Sequence, residues 1–274
     1  MMRHPAAALL ALLVTASPVF ASDALGPAKQ SYAYDAWPGK DGALRQGVAL
    51  LDVDMSGHVV HSRRNRLTTT GEMIVRYAAP NTAKPAFEVG VRVFDSVAAA
   101  QEHLLVFLNT STMDWPRGDT LDLSAGDISY ASKQAGTFDA VVFVRGNVYV
   151  RVALLASAST HPDIALIAGR IDAKIVGEKK AKKAKHLKKP KIAAFEPAST
   201  VTQPNAPVMI DLEVSDPKGE TVEIHFDEGG AQVYEQAGAW YVMAEKPLTY
   251  TVTVFAVNEH FLISEKSFTI RVEK

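Results

Sequence analysis

A chain of 274 residues, 47% of them hydrophobic, can bury one large core or two ordinary ones, and the complete lack of cysteine excludes disulfides, thiol catalysis and cysteine-ligated metal centres. The net charge of −1 is unevenly divided. Residues 22–178 hold 15 Lys and Arg against 17 Asp and Glu, residues 179–191 hold eight lysines and no acid, and residues 192–274 hold 5 against 13.

The first 21 residues, MMRHPAAALLALLVTASPVFA, have a basic head with Arg3, a short apolar stretch and small residues before Ala21. They read as a secretory signal, because the apolar stretch falls well short of the ~20 residues that span a bilayer. The expected product is periplasmic or secreted, with no transmembrane segment and, lacking cysteine, no lipid anchor. Residues 22–47 are rich in Gly, Pro and Ala and read as a mobile leader that Tyr32, Tyr34 and Trp37 pin to the first domain.

Residues 48–178 form that expected domain. A strand is expected at 48–53, turning at Met55, Ser56 and Gly57 into a return at 58–61. The same turn reads D-V-D-M-S-G, the first half of a calcium loop, but Arg63 stands where the bidentate Glu belongs, so a hairpin is the reading. Arg63, Arg64 and Arg66 then read as a solvated cationic loop, with the holding of phosphate or carboxylate groups as the alternative.

Strands are expected at 72–77 and 87–94, the second alternating apolar residues with Glu88 and Arg92. Asp95 or Ser96 should cap a helix to about Leu108 that buries Ala100, Leu104, Leu105 and Leu108 on one face. His103 beside that stripe reads as a surface or boundary histidine. A strand at 127–131, a hairpin across Arg145, Gly146 and Asn147, and a helix over about 162–176 complete the module. The expected fold class is α+β, an antiparallel sheet with two helices on one face.

The runs GDISYA and FDAVVFVRGNVYVRVAL, followed by the closing helix, resemble extracytoplasmic α+β modules of lipoproteins and sensor-type proteins. That resemblance, over about residues 48–176, implies a compartment and a fold, with ligand or protein binding as the usual role.

Residues 179–191, KKAKKAKHLKKPK, read as a solvated linker. Lys179, Lys180, Lys182, Lys183, Lys185, Lys188, Lys189 and Lys191 are its candidate anion-binding residues. A loose association of this +8 segment with the −8 region after it is a further expectation.

From residue 192 to 274, short alternating runs are separated by turn residues: Val208, Ile210, Leu212 and Val214 point one way, then Val222, Ile224 and Phe226 repeat the pattern after a turn. About seven strands in some eighty residues indicate a small all-β sandwich, with Trp240 in its core. VSDPKGETVEI followed by LTYTVTVFAVNEHFLISEKSFTIRV resembles a bacterial immunoglobulin-like or cadherin-like domain. Some members of that family hold calcium through acids of the turn after the second strand and an Asp ending the penultimate strand. Here Asp216 and Glu220 remain, Lys218 intrudes and Asn258 replaces the Asp, so the resemblance implies a spacer or a protein or glycan contact surface.

No hydrolase, zinc-protease, phosphate-loop or dinucleotide signature occurs. Ser215 and Lys218 form S-x-x-K only within a turn, and His58 and His61 are spaced to point to opposite faces of a strand. No catalytic residue, metal ligand or cofactor is therefore expected. The leading expectation is an exported, non-enzymatic binding or scaffolding protein with an envelope protein or anionic polymer as partner. The alternatives are an electrostatic binder of anionic envelope polymers or nucleic acid, and a hydrolase of unfamiliar type.

Overall fold

A computed structural model describes residues 25–39, 42–67, 72–156 and 161–274. The signal-like residues 1–21 lie outside the described residues. Among those described, no helix is long and apolar enough to cross a membrane.

The N-terminal region is built on a six-stranded, wholly antiparallel sheet. Its strands are β2 (Val59–Arg66), β3 (Glu72–Ala78), β4 (Phe87–Val93), β5 (Ile128–Gln134), β6 (Thr137–Arg145) and β7 (Val148–Leu154), in spatial order β2-β3-β4-β7-β6-β5. A short helix α1 (Gly26–Ser31) and strand β1 (Leu44–Arg45) precede them. Helix α2 (Val97–Thr110) follows β4, capped by Ser96, whose hydroxyl accepts from the Ala99 amide at 3.0 Å; α3 (Ile164–Gly177) follows β7, capped by Asp163, which accepts from the Leu166 amide at 2.9 Å. Each cap satisfies an amide that the first helical turn leaves open.

The helices lie on opposite faces of the sheet, which corrects the expectation of two helices on one face. Ala100, Leu104, Leu105 and Leu108 of α2 share a core with Val142, Val144 and Tyr149. Ile164, Ile167, Ile171 and Ile175 of α3 share another with Val141, Phe143, Val150 and Val152. Consecutive strand residues point to opposite faces, so the unbroken apolar run Val141–Val144 is a strand covered on both sides. The leader packs as well, with Tyr34 and Trp37 buried in the α2 core and the Trp37 indole donating to the Tyr32 carbonyl at 2.8 Å.

Residues 48–53 are not a strand. They form a plug with a 3₁₀ turn at Leu50–Asp52, and the Val48 amide donates to the His260 carbonyl at 3.2 Å. The turn at Met55 does form, with Ser56 and Gly57 at positive φ and the His58 amide bonded to the Met55 carbonyl, but it leads from the plug into β2. The hairpin partner of β2 is β3. Asp52 and Asp54 of the calcium-like sequence tie the plug to α3 through Lys174 at 2.9 Å and Arg170 at 3.0 Å.

The C-terminal region is all β. Its strands are β8 (Lys180–Ala181), β9 (Lys191–Pro197), β10 (Val201–Thr202), β11 (Val208–Ser215), β12 (Val222–Asp227), β13 (Gln232–Gln236), β14 (Ala239–Met243), β15 (Thr249–Asn258) and β16 (Ile263–Val272). β8 pairs back onto β1; the others form two four-stranded sheets, β10-β16-β15-β12 and β13-β14-β11-β9. Between the sheets pack Phe195, Ile210, Val242, Val252, Val254 and Ile270, with Trp240 against them. The alternation at Val208, Ile210 and Leu212 aims these residues inward.

The two regions share apolar packing. The β15–β16 turn inserts Phe261 and Leu262 into the α3-side core beside Val48, Leu44 and Leu187. Full burial of side chains of this size is worth roughly 1.5–3 kcal/mol each. Asn258 organises the turn: its Oδ1 accepts from the His260 and Leu262 amides, and its Nδ2 donates to the Lys188 carbonyl at 3.2 Å and to Asp216 Oδ2 at 3.0 Å.

Candidate anion-binding surface

The lysine run is an ordered strap. Lys180 and Ala181 pair with Arg45 and Leu44, and Asn147 holds Arg45 from the β6–β7 turn by accepting from its amide and donating to its carbonyl. Gln46 clamps the next stretch: its Nε2 donates to the His186 carbonyl and its Oε1 accepts from the Lys188 amide, both at 2.9 Å. Ala181 and Leu187 are buried, so the two apolar residues at these points face inward and the lysines between them face out.

Lys179, Lys180, Lys182, Lys183, Lys185, Lys188 and Lys191 are exposed. Lys189 is half-buried and pairs with Asp95 at 2.6 Å. Among the described residues this is the strap's ion pair, and its partner belongs to the N-terminal region. Among those residues no ion pair joins a strap lysine to a carboxylate of the sandwich; the strap meets the sandwich through its backbone, the Lys188 carbonyl accepting from Asn258 and the Pro190 carbonyl from Ser264. Seven lysines are thus exposed along the strap, and no acid interrupts the run from Lys179 to Lys191.

Arg63, Arg64 and Arg66 lie on β2 rather than in a loop, and the structure does not bring them together into a cationic loop. Alternation puts Arg63 on the opposite face from Arg64 and Arg66. Arg63 pairs with Glu223 of β12, while Arg64 is exposed and Arg66 stands across from Glu72. The neighbouring His225 imidazole, first, and the Arg63 charge together outweigh burial and hold the Glu223 carboxyl below the usual range.

The sequence reading missed a buried charge chain on the α2 side of the sheet. Glu88 lies between Arg151, whose Nη2 donates to Oε1 at 2.8 Å, and Arg76, whose Nε and Nη2 donate to Oε2 at 3.2 Å. Arg151 Nε is 3.8 Å from Glu72, and His103 Nε2 is 3.5 Å from the other Glu72 oxygen, at ion-pair range without hydrogen-bond alignment. Burial pushes the Glu88 carboxyl up, yet the two guanidiniums outweigh it and hold the group below the usual range. Burial raises the Tyr149 hydroxyl, whose ring meets His103 edge-on at 4.6 Å. Gly90 makes room for this chain, since a β-carbon there would stand 2.7 Å from Glu72 Oε2. The alternation of apolar residues with Glu88 and Arg92 does not by itself show that the sheet is covered on that side too.

Two shallow depressions, of about 190 and 300 Å³, lie elsewhere. In the first, Arg117 pairs with Asp119 and Asp127 is held by Arg145; in the second, Asp163 caps α3. Among the described residues no His, Asp and Glu side chains group as a metal site. No protein-family model matches this chain, and no curated protein is similar to it.

Proposed function

We propose that this is an exported, non-enzymatic binding or scaffolding protein of the bacterial cell envelope that holds a phosphate-bearing anionic partner on the lysine strap. The observation carrying the proposal is the strap itself: seven exposed lysines on a backbone fixed by β1, Gln46 and Leu187. Ordering the backbone beforehand removes part of the entropy that a loose basic linker loses on binding. Lysine supplies point charges rather than the planar fork of arginine, which suits phosphate oxygens approached from any direction. The strap carries no Phe, Tyr or Trp, so it offers no platform of large rings for bases, and nucleic acid would be held mainly by its phosphates.

On this reading the modules form a bracket. The N-terminal region is taken as an extracytoplasmic α+β module and the sandwich as an immunoglobulin-like or cadherin-like spacer.

The test is binding of the full chain to linear polyphosphate and to vesicles containing anionic phospholipid, compared with Lys182→Gln/Lys183→Gln/Lys185→Gln. The triple variant should lose at least about tenfold in affinity for the preferred anion. Equal binding by both proteins would remove the strap from the function.

A further inference from the structure

The joint between the two regions carries a titratable contact that the strap does not use. His260, in the β15–β16 turn, has Nδ1 2.9 Å from Glu220 Oε2 and Nε2 3.8 Å from Glu178 Oε1. Glu220 belongs to the sandwich, in the turn between β11 and β12; Glu178 ends α3. The three side chains are 14%, 17% and 17% exposed, so solvent screens the contact incompletely.

The ring's own backbone is held. The His260 carbonyl accepts from the Val48 amide, its amide donates to Asn258, and Phe261 and Leu262 are buried beyond it. Other charges meet at the same place. Lys218 Nζ lies 3.1 Å from the second Glu220 oxygen. Burial pushes the Asp216 carboxyl up, but Asn258 and the Lys218 and Glu220 amides outweigh it and keep the group below the usual range. From β1, the Arg45 guanidinium spans the Val176 and Glu178 carbonyls at the C-terminal end of α3. Lys188 offers its carbonyl to the turn, and Lys179 and Glu259 are the chain neighbours of Glu178 and His260. Nearby, His225 Nε2 is 3.4 Å from Glu223, which Arg63 holds across the same joint.

A neutral imidazole has one N–H and can donate to one carboxylate; an imidazolium donates from both nitrogens. The two carboxylates here come from different regions of the chain. We propose that His260 is a proton-operated clamp: charged, it fastens Glu178 to Glu220, and neutral, it keeps one partner and releases the other. The joint therefore tightens as pH falls and the ring gains its second proton, and slackens as pH rises. The Arg63–Glu223 pair and the apolar plug persist throughout, so the neutral state is looser rather than undocked.

The test is a double-mutant cycle on the full chain with His260→Asn, Glu178→Gln and both, followed by thermal unfolding at about pH 5.5 and about pH 8. The cycle should show a coupling of about 2–4 °C at the acid pH that disappears at the alkaline one. In parallel, nuclear magnetic resonance of the wild-type chain should show the Val48 amide shifting with the same midpoint as the His260 ring. If His260→Asn does not fold, the ring titration in Glu178→Gln serves alone, and its midpoint should fall. Coupling that is equal at the two pH values, or a ring midpoint unmoved by Glu178→Gln, would overturn the clamp.

Discussion

The carbonyl oxygen of His260 occupies the space that a β-carbon on Gly47 would take, and Gly47 holds φ at +88°. This contact joins the plug of the N-terminal region to the turn of the sandwich. Replacing Gly47 with Ala combines left-handed strain of roughly 1–2 kcal/mol with a backbone clash that no side-chain movement relieves. Gly47→Ala should therefore lower stability in urea by more than about 2 kcal/mol. A change within about 0.5 kcal/mol would mean that the two regions do not touch here.

The buried charge chain gives a pH prediction. Glu88 is held below the ordinary 4.5, so between its depressed value and 4.5 the unfolded chain binds more protons than the folded one. Its contribution is complete above about pH 4.5 and is lost as pH falls through the depressed value. Glu88→Gln should flatten the acid limb of the stability curve. An unchanged limb would show that other carboxylates set it.

Arg151→Ala should cost about 3–5 kcal/mol, because it leaves Glu88 and Glu72 buried with one guanidinium fewer. Chemical unfolding measures this directly. A loss under about 1 kcal/mol would mean that water reaches the pair freely.

Gln46→Ala should loosen the strap. Two strap backbone groups lose their partner, at roughly 1–3 kcal/mol for groups that stay dry and less where water enters. Low-dose trypsin should cut after Lys185 and Lys188 faster in the variant than in the wild type, with the cores unaffected. Equal cleavage rates would return the segment to a solvated linker.

Patterns that are local in sequence were readable. Ser96 before an apolar stripe at spacings of three and four gave α2, and alternating Val208, Ile210 and Leu212 gave a sandwich strand. Contacts distant in sequence were not. Leu187 and the His186 carbonyl find their places through Gln46, 140 residues away, so charge density alone suggested a free linker. Residues 48–53 have a strand's composition, but the Val48 amide is taken by the His260 carbonyl and the Asp52 and Val53 amides close a local turn onto Ala49 and Leu50. Glu88 and Arg92 fit a wet face equally well until the second covering layer is known. Of the candidate site, the lysines were legible and their fixed backbone was not.

The most direct measurement of the strap's role is the salt dependence of polyphosphate binding by the full chain, with and without neutralised lysines. Each lysine that contacts phosphate contributes about one unit to the slope of log affinity against log salt. Lys182→Gln/Lys183→Gln/Lys185→Gln should therefore reduce that slope by about three while leaving the fold intact. A slope that is the same in both proteins would contradict the account, because the anion would then be held somewhere other than the strap.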